Sequence, residues 1–317
     1  MPEKIILDCD PGVDDALAIV YALASPELDL VGITTVAGNV GLDKTTANAL
    51  RLREFLNAGG LPVTAGSAAP LVRPPSSAPH VHGEDGLGGA PLPPAAASPE
   101  PGFGPDFIVD TVMAAPGEVT LVATGPLTNV ALALRREPAL ADSVRDFVIM
   151  GGSSARGNVT PAAEFNIATD PEAAAAVFAA GWMVTMVGLD VTLQAVTTGQ
   201  VLTRLSGLGP LSDQLVVPCL RGYGDSVHAA NGALGAPGSG KPVHDVCAVA
   251  HVARPDLIGY RPARVEVETA GRWTAGMTVT DFAAPPEACN ALVAVRIDVG
   301  AFWDNVADVF ARAAAAL

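Results

Sequence analysis

Short continuous apolar runs alternate with helical segments along this chain, and that alternation constrains its fold more than any other feature. Residues 4–7, 30–36, 62–65, 119–123, 147–150 and 183–187 read as strands. Residues 16–24, 44–56, 106–114, 128–136 and 172–180 read as the helices between them. Strands that are apolar on both sides, each followed by a helix, need cover on both faces. The expected fold is therefore α/β, an open, mostly parallel sheet flanked by helices. Beyond Thr197 the pattern turns more helical, adds strand-like runs at 264–268 and 292–297, and closes on a helix at 301–317. This is an additional C-terminal helical and strand region. Neither an internal repeat nor a composition shift marks a boundary, so residues 1–317 are expected to form a single domain.

One stretch interrupts the rhythm. Residues 69–105 hold ten prolines and six glycines, together with His80 and His82. A loop of that length is a linker with incidental histidines or a lid near an active site. Composition narrows the partners. A formal charge of −15 argues against a nucleic-acid polymer or an anionic membrane surface, both of which would repel it. Cys9, Cys219, Cys247 and Cys289 are scattered without a CxxC pair, as expected of free thiols in a reducing cytoplasm. The start, Met1-Pro2-Glu3-Lys4, carries no basic stretch with a following apolar core, so no secretory signal is expected. The uncharged run 173–189 is short for a membrane span, is broken by Gly181 and lacks basic flanks.

The strongest chemical signal lies at the front, in Ile5-Ile6-Leu7-Asp8-Cys9-Asp10-Pro11-Gly12-Val13-Asp14-Asp15-Ala16. A strand delivers Asp8 and Asp10 to its carboxyl end, where open α/β sheets bind ligands. Pro-Gly turns the chain and places Asp14 and Asp15 in the first turn of a helix, where the dipole favours carboxylates. Capping alone would need one carboxylate. Four acids this close call for a compensating positive charge, and a hard divalent cation, Ca²⁺ or Mg²⁺, is the economical one. The Asp8-Cys9-Asp10 triplet also resembles the nucleophile motif of haloacid-dehalogenase-type phosphatases. The following Gly12 and Val13 stand where such a motif carries a hydroxyl, and no later Lys with paired acids completes it.

The acidic block with its following Ala-Leu-Ala resembles the signature of the inosine–uridine-preferring nucleoside hydrolases. Further blocks agree in order: Thr34-Thr35-Val36-Ala37-Gly38-Asn39, His82-Gly83, Ala123-Thr124-Gly125-Pro126-Leu127-Thr128-Asn129 and Met150-Gly151-Gly152. They continue with Asn158-Val159-Thr160-Pro161-Ala162-Ala163-Glu164-Phe165-Asn166, Gly188-Leu189-Asp190-Val191-Thr192 and His244-Asp245. The resemblance implies a Rossmann-like nucleoside hydrolase fold and Ca²⁺-dependent cleavage of ribonucleosides to free base and ribose. It implies Ca²⁺ ligands from Asp10, Asp15, the Thr124 carbonyl and Asp245, with Asp14 as the base that activates a metal-bound water. Asn158, Glu164 and Asn166 then match groups around the ribose 5′-hydroxyl, and Asn39 and Met150 match contacts to the other hydroxyls. Asp8 matches a support for the acidic loop. His82 and His244 match groups near the base, with His244 the candidate acid for a purine leaving group. A homodimer or homotetramer is also implied.

These residue types suit the chemistry. Water attack on an N-glycosidic bond needs a base, a cation and help for the leaving group. Glu164 and Asn166, one residue apart, would project to the same side of an extended chain. Plainer roles remain open for several positions: Asn39 as a turn former, Asp245 as a dipole partner at the start of helical 245–253, and His251 as structural. Tyr223 and His228 fall where base-facing residues are expected, although an amphipathic helix would also explain them. A catalytically dead nucleoside- or sugar-binding protein of the same fold is the non-enzymatic alternative.

Overall fold

Ile5, Ile6 and Leu7 are fully buried although neighbouring side chains of a strand point to opposite faces, so the first strand is covered on both sides. The computed structural model describes residues 1–221 and 240–317. Among them run the strands β1 (Glu3–Cys9), β2 (Leu28–Thr35), β3 (Val63–Ala65), β4 (Val119–Ala123), β5 (Asp146–Met150) and β6 (Val184–Val187). Then come β7 (Val196–Thr197), β8 (Lys241–Pro242), β9 (Ile258–Val267), β10 (Thr278–Asp281) and β11 (Ala291–Ile297). Nine form one sheet in the order β10-β9-β11-β6-β5-β4-β1-β2-β3. Pairing is parallel from β3 through β11 and antiparallel at the β11–β9 and β9–β10 edge. The expected mostly parallel α/β sheet is therefore present, and the two strand-like runs of the C-terminal region are its antiparallel edge and one further parallel strand.

The helices divide between the faces. On one face lie α1 (Val13–Ala24) and α2 (Leu42–Phe55), packed with the cluster that includes Ile5, Leu7 and Cys9. On the other lie α4 (Gly104–Ala114) and α5 (Thr128–Arg136), packed with the cluster that includes Ile6, Leu121 and Ile149. The uncharged run 173–189 is not continuous: it passes through α8 (Pro171–Phe178), a turn with Gly181 at positive φ, and β6. No helix among the described residues is long and apolar enough to cross a membrane.

The connections matter for function. The chain lays down β1, β2 and β3 in one direction, then returns to place β4, β5 and β6 on the other side of β1. The carboxyl ends of β1 and β4 therefore flank the point where strand order reverses, which is where open α/β sheets hold ligands. The segment 69–105 is tied down along α2. Lys44, Asn48, Arg51 and Glu54 form one polar stripe along α2. Lys44 Nζ donates to the Glu84 carbonyl at 2.6 Å and Asn48 Nδ2 to that of Asp85 at 2.8 Å. Arg51 donates to the carbonyls of Leu92 and Pro93, and Glu54 accepts from the Ala96 and Ala97 amides. Within this segment a short helix, α3 (Pro79–His82), turns His82 inward.

Candidate active site

Gly12 has no side chain with which to cap α1, and Asp15 supplies the bond instead by reaching back to accept from Gly12 N at 3.0 Å. That local device fixes the acidic turn. Asp8, Asp10 and Asp15 are fully buried and Asp14 is nearly so. The three carboxylates of Asp14, Asp15 and Asp245 offer oxygens within 4.8 Å of one another, the spacing of a metal-binding group. Asp245 reaches them from the first turn of α11 (Asp245–Ala253). Asp10 stands beside this trio rather than within it. Its Oδ2 accepts from Asn39 N at 2.7 Å, while its buried Oδ1 has no hydrogen-bond partner among the described residues. A Cβ on Gly38 or Gly125 would collide with the Asp10 carboxylate, so those glycines make its seat.

The electrostatics follow from burial. Desolvation first, then repulsion by Asp15, pushes the Asp14 carboxyl up to about 7. Burial likewise holds Asp10 and Asp245 well above the ordinary carboxylate range, and their neighbouring acids add to it. Asp15 is raised less, because the Gly12 amide and the Thr124 hydroxyl stabilise its charge. Oxygen donors crowded so closely, with one Asp10 oxygen spare, fit a hard divalent cation.

Asp8 plays a different part. Its Oδ1 accepts from Thr34 Oγ1 at 2.6 Å and Asn129 Nδ2 at 2.7 Å, and burial raises its carboxyl to about 7. A sealed, readily protonated carboxyl is a poor phosphatase nucleophile, so the phosphatase reading loses its key residue.

Several groups converge on the trio. Asn39, expected either as a turn former or as a sugar contact, spends both amide protons inside the protein, on the Asp10 carbonyl and Asp15 Oδ2. Asn166 likewise donates to the carbonyls of Thr124 at 2.7 Å and Met150 at 3.0 Å. His82 Nδ1 accepts from Val13 N at 3.2 Å, and burial lowers the ring to about 3. His82 is therefore neutral, and its 4.0 Å approach to Asp14 is not an ion pair. His244 is buried, lowered to about 4, and bonded through Nδ1 to Thr192 Oγ1 at 2.8 Å.

One expectation needs correction. Glu164 and Asn166 do not share an extended stretch, because the chain turns helical at Phe165. Glu164 caps α7 (Phe165–Thr169), its carboxylate accepting from the amides of Gly152, Asn166 and Ile167. An acceptor at the N-cap satisfies otherwise orphaned helix amides, and that outweighs the extended alternative. Asn158 is exposed, its amide bonded to the Ala163 carbonyl in a surface turn, and it does not join the buried cluster. Tyr223 and His228 lie outside the described residues. Thr34, Asn129 and Thr192 bond to Asp8 and His244, and although each lies within a motif block, nothing local in the sequence signals those bonds.

A model of the inosine-uridine preferring nucleoside hydrolase family matches residues 5–304. The chain belongs to that family. It is 43% identical over 315 residues to the inosine-uridine preferring nucleoside hydrolase of Leishmania major, covering 98% of each chain. It is 48% identical over 314 residues to the non-specific ribonucleoside hydrolase RihC of Escherichia coli, again covering 98% of each. Among solved structures, the purine-preferring ribonucleoside hydrolase of Gardnerella vaginalis superposes with a TM-score of 0.91 at 33% identity, covering 98% of this chain and 99% of the other. The plant nucleoside hydrolase PpNRh1 gives 0.89 at 34%, with the same coverage. Family membership makes this chain a nucleoside hydrolase, an enzyme, and sets aside the phosphatase and the catalytically dead binding protein.

Proposed function

We propose that this chain hydrolyses the N-glycosidic bond of ribonucleosides in a Ca²⁺-dependent reaction with Asp14 as general base. The carrying observation is the buried trio of Asp14, Asp15 and Asp245 at the strand-order reversal, with oxygens within 4.8 Å of one another. The carboxylates of Asp10, Asp15 and Asp245 with the Thr124 carbonyl would hold the cation, an all-oxygen set suited to Ca²⁺. When bound, the cation supplies positive charge that acidifies water and grips sugar hydroxyls.

The remaining steps belong to the chain's own side chains. Asp14 takes a proton from the water that attacks the anomeric carbon. The C–N bond breaks and its electron pair leaves with the base. Asn39 and Asn166 have committed their amide protons, so each offers its oxygen to a ribose hydroxyl. Glu164 and Met150 stand beside them. A 2′-deoxy substrate would leave a buried acceptor unpaired and be disfavoured. His82 lies along the acidic turn toward the base. Neutral His244 assists the departing base by donating an N–H hydrogen bond, since burial leaves little imidazolium at neutral pH. A cytoplasmic homodimer or homotetramer belongs to the same proposal on family grounds, and light scattering of the purified protein tests the assembly.

The deciding assay is ribose release from inosine, adenosine, uridine and cytidine. Activity is expected to need a divalent cation, to vanish with chelator, and to fall at least about 10²-fold in Asp14→Ala. Tight nucleoside binding with no ribose released, or activity indifferent to chelator, would overturn the reading.

A further inference from the structure

We propose that Thr192 is a positioning residue for departure of the base: its hydroxyl holds His244 in one orientation and one tautomer, with the ring proton on Nε2. This rests on the reading of His244 as the group that meets the base.

The geometry carries it. Thr192 is fully buried and His244 nearly so, with Thr192 Oγ1 2.8 Å from His244 Nδ1. That contact is the hydroxyl's one side-chain hydrogen bond among the described residues. A buried hydroxyl places its proton on an acceptor, and here the acceptor is Nδ1. A neutral imidazole that accepts at Nδ1 carries its proton on Nε2. The ring then offers a donor at the edge away from Thr192, which is what a base nitrogen with a lone pair requires.

Both partners stand on fixed backbone although they are 52 residues apart. Thr192 ends the short helix α9 (Leu189–Thr192), whose first amide donates to the Gly152 carbonyl at 2.9 Å. A Cβ on Gly188 would press on that same carbonyl, so the turn sits directly against the loop that follows β5. From the other side, the antiparallel pair β7–β8 sets Val196 opposite Pro242. Val243 N extends the pairing by donating to the Ala195 carbonyl at 3.0 Å. The His244 carbonyl accepts from Cys247 N at 3.1 Å at the start of α11. The ribbon thus returns the chain to Thr192, and the hydroxyl fixes the one remaining freedom, rotation and tautomerism of the ring.

The test compares Thr192→Val, Thr192→Ser and His244→Ala on inosine and on p-nitrophenyl β-D-ribofuranoside, whose leaving group departs without a donor. Thr192→Val is expected to lower kcat on inosine roughly 10- to 100-fold, part of what an acid–base group supplies. KM should stay within about twofold and the p-nitrophenyl substrate should be unaffected, while Thr192→Ser, which keeps the hydroxyl, restores inosine cleavage. Equal losses on both substrates would mean a packing role and overturn the proposal. Full inosine activity in Thr192→Val with a large loss in His244→Ala would overturn it while leaving His244's role intact. Full activity in His244→Ala would remove its basis. Histidine ¹⁵N chemical shifts of the unmutated protein give a check that needs no variant: a proton found on Nδ1 of His244 would also overturn it.

Discussion

Asn129 lies 121 residues from Asp8 in the chain, yet its side chain joins three strand ends. Nδ2 donates to Asp8 Oδ1 at 2.7 Å and to the Thr35 carbonyl at 3.0 Å, and Oδ1 accepts from Ser67 N at 2.8 Å. A Cβ on Gly66 would collide with this side chain, so the exit of β3 is shaped around it. Asn129→Ala removes a donor from a buried carboxyl and leaves the Ser67 amide without its acceptor. The expected cost is about 1–3 kcal/mol, the usual penalty for an unsatisfied group of this kind. Urea titration at neutral pH measures it, and an unchanged midpoint at constant slope would show that the amide is dispensable. Only the bonds reveal this role, because nothing local in Thr128-Asn129 distinguishes a helix-start asparagine from one that crosses the sheet.

At the level of elements, what the sequence made legible was local periodicity. β4 begins and ends where its apolar run does, and β5 starts within a residue of its run. The acidic turn was equally clear, because Pro11-Gly12 followed by two acids is a helix start whatever the fold. Long-range hydrogen bonding was not legible. Nothing local in Lys44, Asn48, Arg51 and Glu54 on α2 points to their partners, which are backbone carbonyls and amides about forty residues away. Those bonds turn a proline-rich segment into an ordered cover that carries His82. In the same way, Glu164 and Asn166 read as one extended stretch until the amides of α7 show Glu164 to be a cap.

The helix α11 carries a prediction of its own. His251 lies on it with its ring edge-on to Tyr260, Nδ1 without a partner among the described residues, and burial lowers the ring to about 4. Its folded value lies below the ordinary 6.5, so the folded state binds fewer protons than the unfolded chain. The stability it permits is present above 6.5 and is lost as pH falls toward 4. Between pH 7 and pH 5 this one group should cost about 2 kcal/mol. His251→Leu should shrink the stability difference between those two pH values, whatever it does to absolute stability. An unchanged difference would show that the ring is already accessible to protons.

For the whole molecule, an overall charge of −15 and a buried carboxylate cluster make cation binding and folding one equilibrium. Burial raises the cluster's carboxyls in the cation-free fold, Asp14 to about 7, so that fold retains protons the unfolded chain has released. For such groups stability is full below the unfolded value and is lost as pH rises through the folded one. A divalent cation needs the charged form, so protons compete with it. The gain in Tm on adding Ca²⁺ to chelator-treated protein should therefore be larger at pH 8 than at pH 5. At a hundredfold excess over Kd the expected stabilisation at pH 8 is about 2.7 kcal/mol. The histidine contributions, present with and without the cation, cancel in this difference. Asp245→Asn removes one carboxylate of the trio while keeping its shape, and should reduce the gain without abolishing folding. Scanning calorimetry with Ca²⁺ and with Mg²⁺ separates the two ions, since Mg²⁺ demands a tighter, nearly octahedral site. A Tm that ignores both ions at pH 8 would mean that the trio is stabilised by shared protons alone, and the metal assignment would fall with it.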